Sequence, residues 1–445
     1  MIHLYCFQEL KIVLDVNSGA VHAVSDSVYD ILSYYHKKYP EEIKQEAISE
    51  IKELIAAGML FTPAPDEDEI SPEGRGAVIK AMCLHVAHDC NMRCAYCFAD
   101  TGGFAGARGL MPLKTGKRAI DFLLERSGAR RNLEIDFFGG EPLMNFNVVK
   151  SLVLYARGRE KRYGKHIRFT LTTNGLLLDD KKTAFINEHM DNVILSIDGR
   201  PEVNDRMRKT VGGEGTYAHI VEKLARFSEA RKANAKSGGS SLYYVRGTYT
   251  AFNKDFAEDV RHLASLGFEN ISIEPVVTAA HEPWVLSDKD LPGLFAEYDR
   301  LAELILASEE AGNPISFFHF KVDLDQGPCV YKRASGCGAG TAYVAVTPAG
   351  DIYPCHQFVG ETPFKLGNVH DSSFENRLAE TFEKAHIFAK AKCKNCWAKY
   401  YCSGGCHAAA HHLGGDILTP HGLSCALEKK RLECAIGLVA KRALV

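Results

Sequence analysis

Between about residue 80 and residue 310, short apolar runs alternate with amphipathic stretches six times, an order that few folds accommodate. Strands are predicted near 80–86, 133–138, 167–172, 192–197, 242–250 and 270–277, and helices near 114–127, 146–162, 180–189, 216–233, 254–266 and 287–309. A strand returning parallel to its predecessor needs a crossover of about this length, so the alternation predicts one parallel sheet covered by helices. The fold class is α/β. Six units rather than eight predict a partial (β/α)6 barrel, with a doubly wound open sheet as the second topology. In either, the working face lies at the strand C-termini.

The 445-residue chain leaves room for a domain on each side of this barrel. The expected division is 1–75 for a winged-helix-like domain and linker, 76–311 for the barrel and 312–445 for a cysteine-rich domain. In the first segment, Ile12–Val16 and Ala20–Val24 flank Asn17-Ser18-Gly19, whose glycine supplies the positive φ of a hairpin turn. A helix capped by Ser25 or Asp26 and a second over roughly 41–57 should follow, and the acidic, proline-containing run Thr62–Glu69 reads as a linker. A net charge of −3 provides no overall field toward nucleic acid or a membrane surface. No apolar run is long enough to span a bilayer, and the first ten residues lack a basic segment followed by an apolar one. A cytoplasmic protein with neither a nucleic-acid nor a membrane partner is expected.

Fourteen cysteines in a reducing compartment point to metal or catalysis rather than disulfides. Most fall at 90–97 and 329–425, with none between Cys97 and Cys329. Cys90-x3-Cys94-x2-Cys97 follows the first strand directly, and three thiolates this close can hold three irons of a 4Fe-4S cluster while the fourth iron stays open. A structural zinc loop would need a fourth ligand, for which His85 or His88 is nearest. Glu274 stands inside the apolar sixth strand, where an ionised group is costly unless a polar pocket faces the barrel interior. Cys6, Cys83 and Cys434 have no motif around them and are expected as buried core thiols.

The cysteine loop, with Tyr96 before its third cysteine, resembles the signature of the radical S-adenosylmethionine (SAM) superfamily. Gly139-Gly140-Glu141-Pro142 after the second strand is similar to that family's GGE segment, which receives the amino group of the cofactor's methionine. Thr172-Thr173-Asn174-Gly175 and Ser196-Ile197-Asp198-Gly199 end the third and fourth strands. The resemblance implies that Tyr96, Gly139, Gly140, Glu141, Thr173, Asn174, Ser196, Asp198, Arg208 and Glu274 surround S-adenosylmethionine. It also implies reductive cleavage of the cofactor to a 5′-deoxyadenosyl radical that takes hydrogen from a substrate, in an anaerobic host. The chemistry is the cofactor's; the protein orients the substrate and excludes water.

Cys337-x12-Gly350-x4-Cys355, followed by Cys393-x2-Cys396-x5-Cys402-x3-Cys406-x18-Cys425, matches the seven-cysteine SPASM pattern along its length. The resemblance places Cys393, Cys396, Cys402 and Cys425 on an outer auxiliary 4Fe-4S cluster. Cys337, Cys355 and Cys406 then serve an inner one, making three clusters in all. Cys329 is either the fourth inner ligand or free, leaving an open iron for a substrate thiolate. Where sulfatase-maturing members of the group carry a basic aspartate after the equivalent of Cys355, this chain has His356. Residues 12–22 and 346–357 resemble the maturases of SCIFF peptides. That likeness implies a RiPP recognition element at the N-terminus that holds the leader of a cysteine-rich precursor peptide, installation of thioether links between cysteine sulfur and acceptor carbons, and an external one-electron reductant. The alternatives are another SPASM peptide modification, by carbon–carbon cross-linking or epimerisation, and an iron–sulfur winged-helix regulator. The neutral charge and the absence of a basic recognition helix weigh against the regulator.

Overall fold

The computed structural model describes all residues except 35–37, 105, 237, 278–280, 325–329, 372 and 445, and resolves into two compact units. One consists of Glu73–Asp290 with Cys337–Lys384; the other gathers Met1–Pro72, Leu291–Gly336 and Ala385–Val445.

In the second of these units the chain opens with an antiparallel meander of β1 (Ile2–Phe7), β2 (Leu10–Asp15) and β3 (Val21–Val24). The turn between β2 and β3 forms around Asp15, whose buried carboxylate accepts from Ser18 N at 2.9 Å and Thr62 N at 3.1 Å, while Gly19 takes φ +78°. Helices Asp26–Leu32, capped by Ser25, and Glu41–Ala56 close over one face with Val13, Val28, Leu32, Ala47, Ile51 and Leu60. β1 escaped sequence reading because its apolar residues are interrupted at His3 and Cys6. Cys6 is exposed, not a core thiol: in β1 it points away from the face that buries Tyr5 and Phe7. Cys83 and Cys434 are fully buried, as expected.

The N-terminal module is not free-standing. Val16 and Ile70 share a core with Ala334, Ile387, Cys393 and Tyr400, and His3 stacks on Trp397 at 3.9 Å. The long helix Gly422–Ala443 packs on the meander, with His3 Nε2 2.9 Å from Glu433 Oε1 and Gly437 against the Phe7 ring. The expected sixth barrel helix exists as Leu291–Glu310 but belongs to this unit, where it packs on Gly422–Ala443.

In the other unit β4 (Ala81–His88), β5 (Gly109–Leu110), β6 (Asn132–Gly139), β7 (His166–Thr173), β8 (Asn192–Ser196), β9 (Tyr243–Tyr249) and β10 (Asn270–Pro275) follow in sequence. β5 is a short antiparallel addition to the end of β4. The other six are parallel and lie side by side in chain order, β4-β6-β7-β8-β9-β10. No reversal of order occurs, which excludes the doubly wound alternative, and β4 does not pair with β10, so the barrel is partial. β4 is buried along its whole length, as a strand covered on both faces must be. Helices Leu113–Arg126, Phe146–Tyr163, Asp180–His189, Tyr217–Lys236 and Phe256–Ser265 make the crossovers. Beyond the barrel, Tyr343–Val346 adds to β4 in parallel and Asp351–Tyr353 folds back on it, making the sheet mixed. No helix among the described residues is long and apolar enough to cross a membrane.

A Cβ on Gly437 would stand 2.2 Å from Phe7 Cγ. Gly437→Ala should therefore lower stability by about 1–3 kcal/mol through overpacking, read as a lower anaerobic Tm. Loss of that effect when Phe7 is replaced by Leu would confirm that module and helix share one core.

Candidate active site and cluster sites

The C-terminal ends of the parallel strands open on one cleft. It is lined by Cys90, Cys94 and Cys97 from the loop after β4, by Gly139, Gly140 and Glu141 after β6, and by Thr173 and Asn174 after β7. Ser196, Arg208, Thr248, Arg246, Glu274 and His356 complete it, so one space collects the three cysteines of the loop and every residue expected around S-adenosylmethionine except Asp198.

Backbone contact seats the cysteine loop. Gly140 N donates to Ala87 O at 2.8 Å and Glu141 N to Asp89 O at 2.9 Å. A Cβ at Gly139 would lie 2.1 Å from Ala87 O, and one at Gly140 2.2 Å from Asp89 O. These glycines are required because main chain meets main chain just before Cys90. Glu141 ties the next strand in: its buried carboxylate accepts from Leu143 N at 2.9 Å, Thr173 Oγ1 at 2.9 Å and Asn174 N at 2.8 Å. Burial pushes its pKa up to about 7 against the pull of those three donors. Asn174 Nδ2 reaches Asn91 Oδ1 at 2.8 Å, within the cysteine loop itself.

A second network stands across the cleft. Tyr96 Oη donates to both oxygens of Asp198 at 2.9 and 2.8 Å, and Arg208 reaches Tyr96 Oη and Ser196 O, each at 3.1 Å. Thr248 N donates to Asp198 Oδ1 at 3.1 Å. Asp198 is 1% exposed and does not line the cleft; its carboxylate positions Tyr96 and Arg208. Burial raises its pKa to about 6, outweighing the opposing charge of Arg208. Glu274 has the partner its strand position demanded, an ion pair with Arg246 from β9. Arg246 could not be recognised from sequence, since an arginine at an outward register of β9 looks the same as one aimed into the barrel.

His356 sits on the cleft wall beside Phe98 and Phe138, with Nδ1 3.2 Å from Tyr343 Oη. Burial first, then the charge of Arg246, lowers its pKa to about 4, so the ring is neutral at neutral pH. His85 and His88 bond each other at 3.1 Å and do not line the cleft, so neither offers the zinc ligand considered above.

The unit that carries the N-terminal meander holds a separate cavity of about 290 Å³ lined by Cys393, Cys396, Cys402 and Cys425, the set expected for the outer auxiliary cluster. Its wall also carries Lys392, Lys399 and Lys429. Of the inner set, Cys337 is exposed and lines a cavity with Asp136 and Tyr343, and Cys355 is buried, both in the barrel unit. Cys406 is exposed in the other unit, and Cys329 lies outside the described residues.

The donor chemistry of both cavities fits iron–sulfur clusters. Burial pushes Cys90 up to about 12 and Cys94 to about 11 in the cleft, and Cys402 to about 11 in the second cavity. Such thiols stay protonated on their own and ionise when a metal takes the proton's place.

The comparisons with known proteins agree. The Radical SAM superfamily model matches residues 84–267, and the SPASM iron-sulfur cluster-binding domain matches 337–397. The chain carries a radical SAM domain and a SPASM domain. Radical SAM domains bind S-adenosylmethionine and a 4Fe-4S cluster, and SPASM domains bind auxiliary iron–sulfur clusters. The radical SAM cyclopropyl synthase TigE of Paramaledivibacter caminithermalis is 23% identical over an alignment covering 92% of this chain and 89% of its own. Among solved structures, anSMEcpe with bound AdoMet matches at TM-score 0.65 and 20% identity, covering 82% of this chain and 100% of that one. Streptococcus suis SuiB bound to S-adenosylmethionine matches at TM-score 0.55 and 15% identity, over 95% and 98%. At these identities the structural likeness shows the fold of the radical SAM and SPASM parts.

Asp136, in β6 of the radical SAM domain, faces the cavity that Cys337 lines, with Oδ1 unpaired and buried, and burial raises its pKa to about 7. A carboxyl whose folded pKa exceeds its unfolded one holds a proton that the unfolded chain has lost, so its contribution is full below about pH 4 and declines as pH rises through 7. Asp136→Asn should flatten the fall in Tm between pH 5 and pH 8 by on the order of a few degrees.

Proposed function

We propose that this protein is a radical SAM peptide maturase that joins cysteine sulfur to carbons of acceptor residues in a ribosomally made, cysteine-rich precursor peptide. The observation that carries the reading is the gathering of two cysteine sets into two separate cavities, one set of three and one of four. Joining a thiol to a carbon removes two hydrogens from the peptide, so such a reaction needs a place where it starts and a place that takes up an electron. Cys90, Cys94 and Cys97 would hold the first cluster, and Cys393, Cys396, Cys402 and Cys425 the outer auxiliary one. Bound S-adenosylmethionine and its cluster supply a radical able to take a hydrogen atom from the peptide, and an auxiliary cluster supplies an acceptor for one electron.

The residues of the chain bind and orient. Asn174, Ser196 and the Tyr96–Asp198–Arg208 network fix the wall against which the cofactor's polar groups lie. Glu274 stands with the cofactor contacts, and Arg246 and neutral His356 form the side left for the peptide. The three-stranded meander with its two helices fits a recognition element that accepts the leader as an added strand, with the backbone supplying affinity. Relatives and neighbours support a peptide substrate: AlbA of Bacillus subtilis is a subtilosin biosynthesis protein, MftC is a mycofactocin maturase, and SuiB has been solved with its precursor peptide SuiA.

A second reading is favoured by the broad match to TigE, a cyclopropyl synthase: closure of a carbon–carbon bond, which also removes two hydrogens. Counting free thiols separates them. A thioether-forming enzyme yields a peptide two hydrogens lighter that has lost one alkylatable cysteine per link; carbon–carbon closure gives the same mass loss with every thiol intact, and epimerisation changes neither.

Replacing Cys90, Cys94 or Cys97 by Ala should abolish release of 5′-deoxyadenosine and lower bound iron by about four atoms, one cluster, with the SPASM clusters retained. 5′-Deoxyadenosine from any of the three would disprove the assignment.

A further inference from the structure

The four-cysteine cavity is collared by lysines in a chain whose net charge is −3. The stretch from Lys390 to Lys399 contains four lysines, 390, 392, 394 and 399, and no acid. Lys392, Lys399 and Lys429 line the cavity itself. Two of the neighbouring cations are accounted for locally: Lys394 pairs with Glu67 at 3.0 Å, and Lys399 is 7% exposed with its ammonium on Lys394 O at 3.1 Å. Glu428, the acid in the same lining, is held by Arg431. Lys392 and Lys429 have no carboxylate partner among the described residues, and Lys392 is exposed. Both act on Cys425, opposing the rise that burial imposes on its thiol.

Access is uneven around the cavity. Cys393 is buried, whereas Cys396, Cys402 and Cys425 are partly open to solvent. Lys392 and Lys429 line the same cavity as these three partly open cysteines. A cluster bound by four thiolates is itself negative and would repel an acidic partner, so a local excess of cations beside it is what such a partner would require.

We propose that Lys392 and Lys429 form the docking surface for an acidic one-electron carrier protein, which meets the outer SPASM cluster there. The inference rests on the assignment of Cys393, Cys396, Cys402 and Cys425 to that cluster. One electron crosses per encounter: the oxidised carrier takes it from the reduced cluster, which returns to its oxidised state, or a reduced carrier delivers it in the opposite sense. Steering of this kind acts on encounter rate and is weakened by salt.

The test uses the full-length, cluster-loaded protein and an acidic flavodoxin as the probe. Kd and the rate of carrier oxidation or reduction are measured without oxygen at low and high ionic strength. Lys392→Glu with Lys429→Glu should weaken binding about tenfold at low salt and flatten the dependence of log Kd on salt, while Lys392→Arg with Lys429→Arg preserves both. Equal flavodoxin affinity of the Glu variant and the parent at low salt, with matched iron content and cluster spectrum, overturns the docking surface. A Cys393→Ala variant that keeps its full iron content overturns the cluster assignment beneath it.

Discussion

Main chain lies against main chain where β6 ends beside the start of the cysteine loop, and the geometry of the cleft follows from that contact. With no Cβ at Gly139 or Gly140, the carbonyls of Ala87 and Asp89 come close enough to accept backbone hydrogen bonds from Gly140 and Glu141. The loop that begins at Cys90 is thereby fixed to the sheet at its root. Glu141 extends the tie to β7 through Thr173 and Asn174, and Asn174 returns to Asn91. Three strand ends and the cysteine loop thus form one closed circuit of hydrogen bonds, which is how a loop rich in small and polar residues is held for metal.

Burial opposes charge throughout the barrel. Glu141, Asp198 and Asp136 are all raised above the ordinary carboxylate range, although the first two have several donors or a neighbouring arginine. Desolvation therefore exceeds what local hydrogen bonds and Arg208 restore. The carboxylates that remain hydrated enough to meet a substrate are fewer than the acidic residues near the cleft suggest, and Glu274, one-third exposed beside Arg246, is the clearest of them.

The strand–helix order was legible because its periods are local: every parallel strand and every long helix of the barrel falls within a few residues of its predicted place. The grouping of Cys90, Cys94 and Cys97 in one cavity and of Cys393, Cys396, Cys402 and Cys425 in another was legible because most of their spacing is also local. What sequence could not reveal depends on residues brought together from afar. Arg246 becomes part of the cleft only through the register of β9 beside β10. Asp198 looked like a cofactor contact because it ends a strand, yet Tyr96, 102 positions earlier, occupies its carboxylate. The division into three consecutive domains missed that the meander, the helix Leu291–Glu310 and the last sixty residues build a single core, since nothing in the N-terminal pattern shows that Phe7 will face Gly437.

That common core gives the outer cysteines a mechanical meaning. Cys393 packs with Val16 and Ile70, Trp397 stacks on His3, and Cys425 rides on the same helix whose far end presses on Phe7. A metal that joined Cys425 to Cys393, Cys396 and Cys402 would clamp the helix to the segment carrying those three, and through them brace the meander. Loss of such a metal would loosen the N-terminal sheet together with the four-cysteine cavity, so the fold of the meander and the state of those thiols would change in one event.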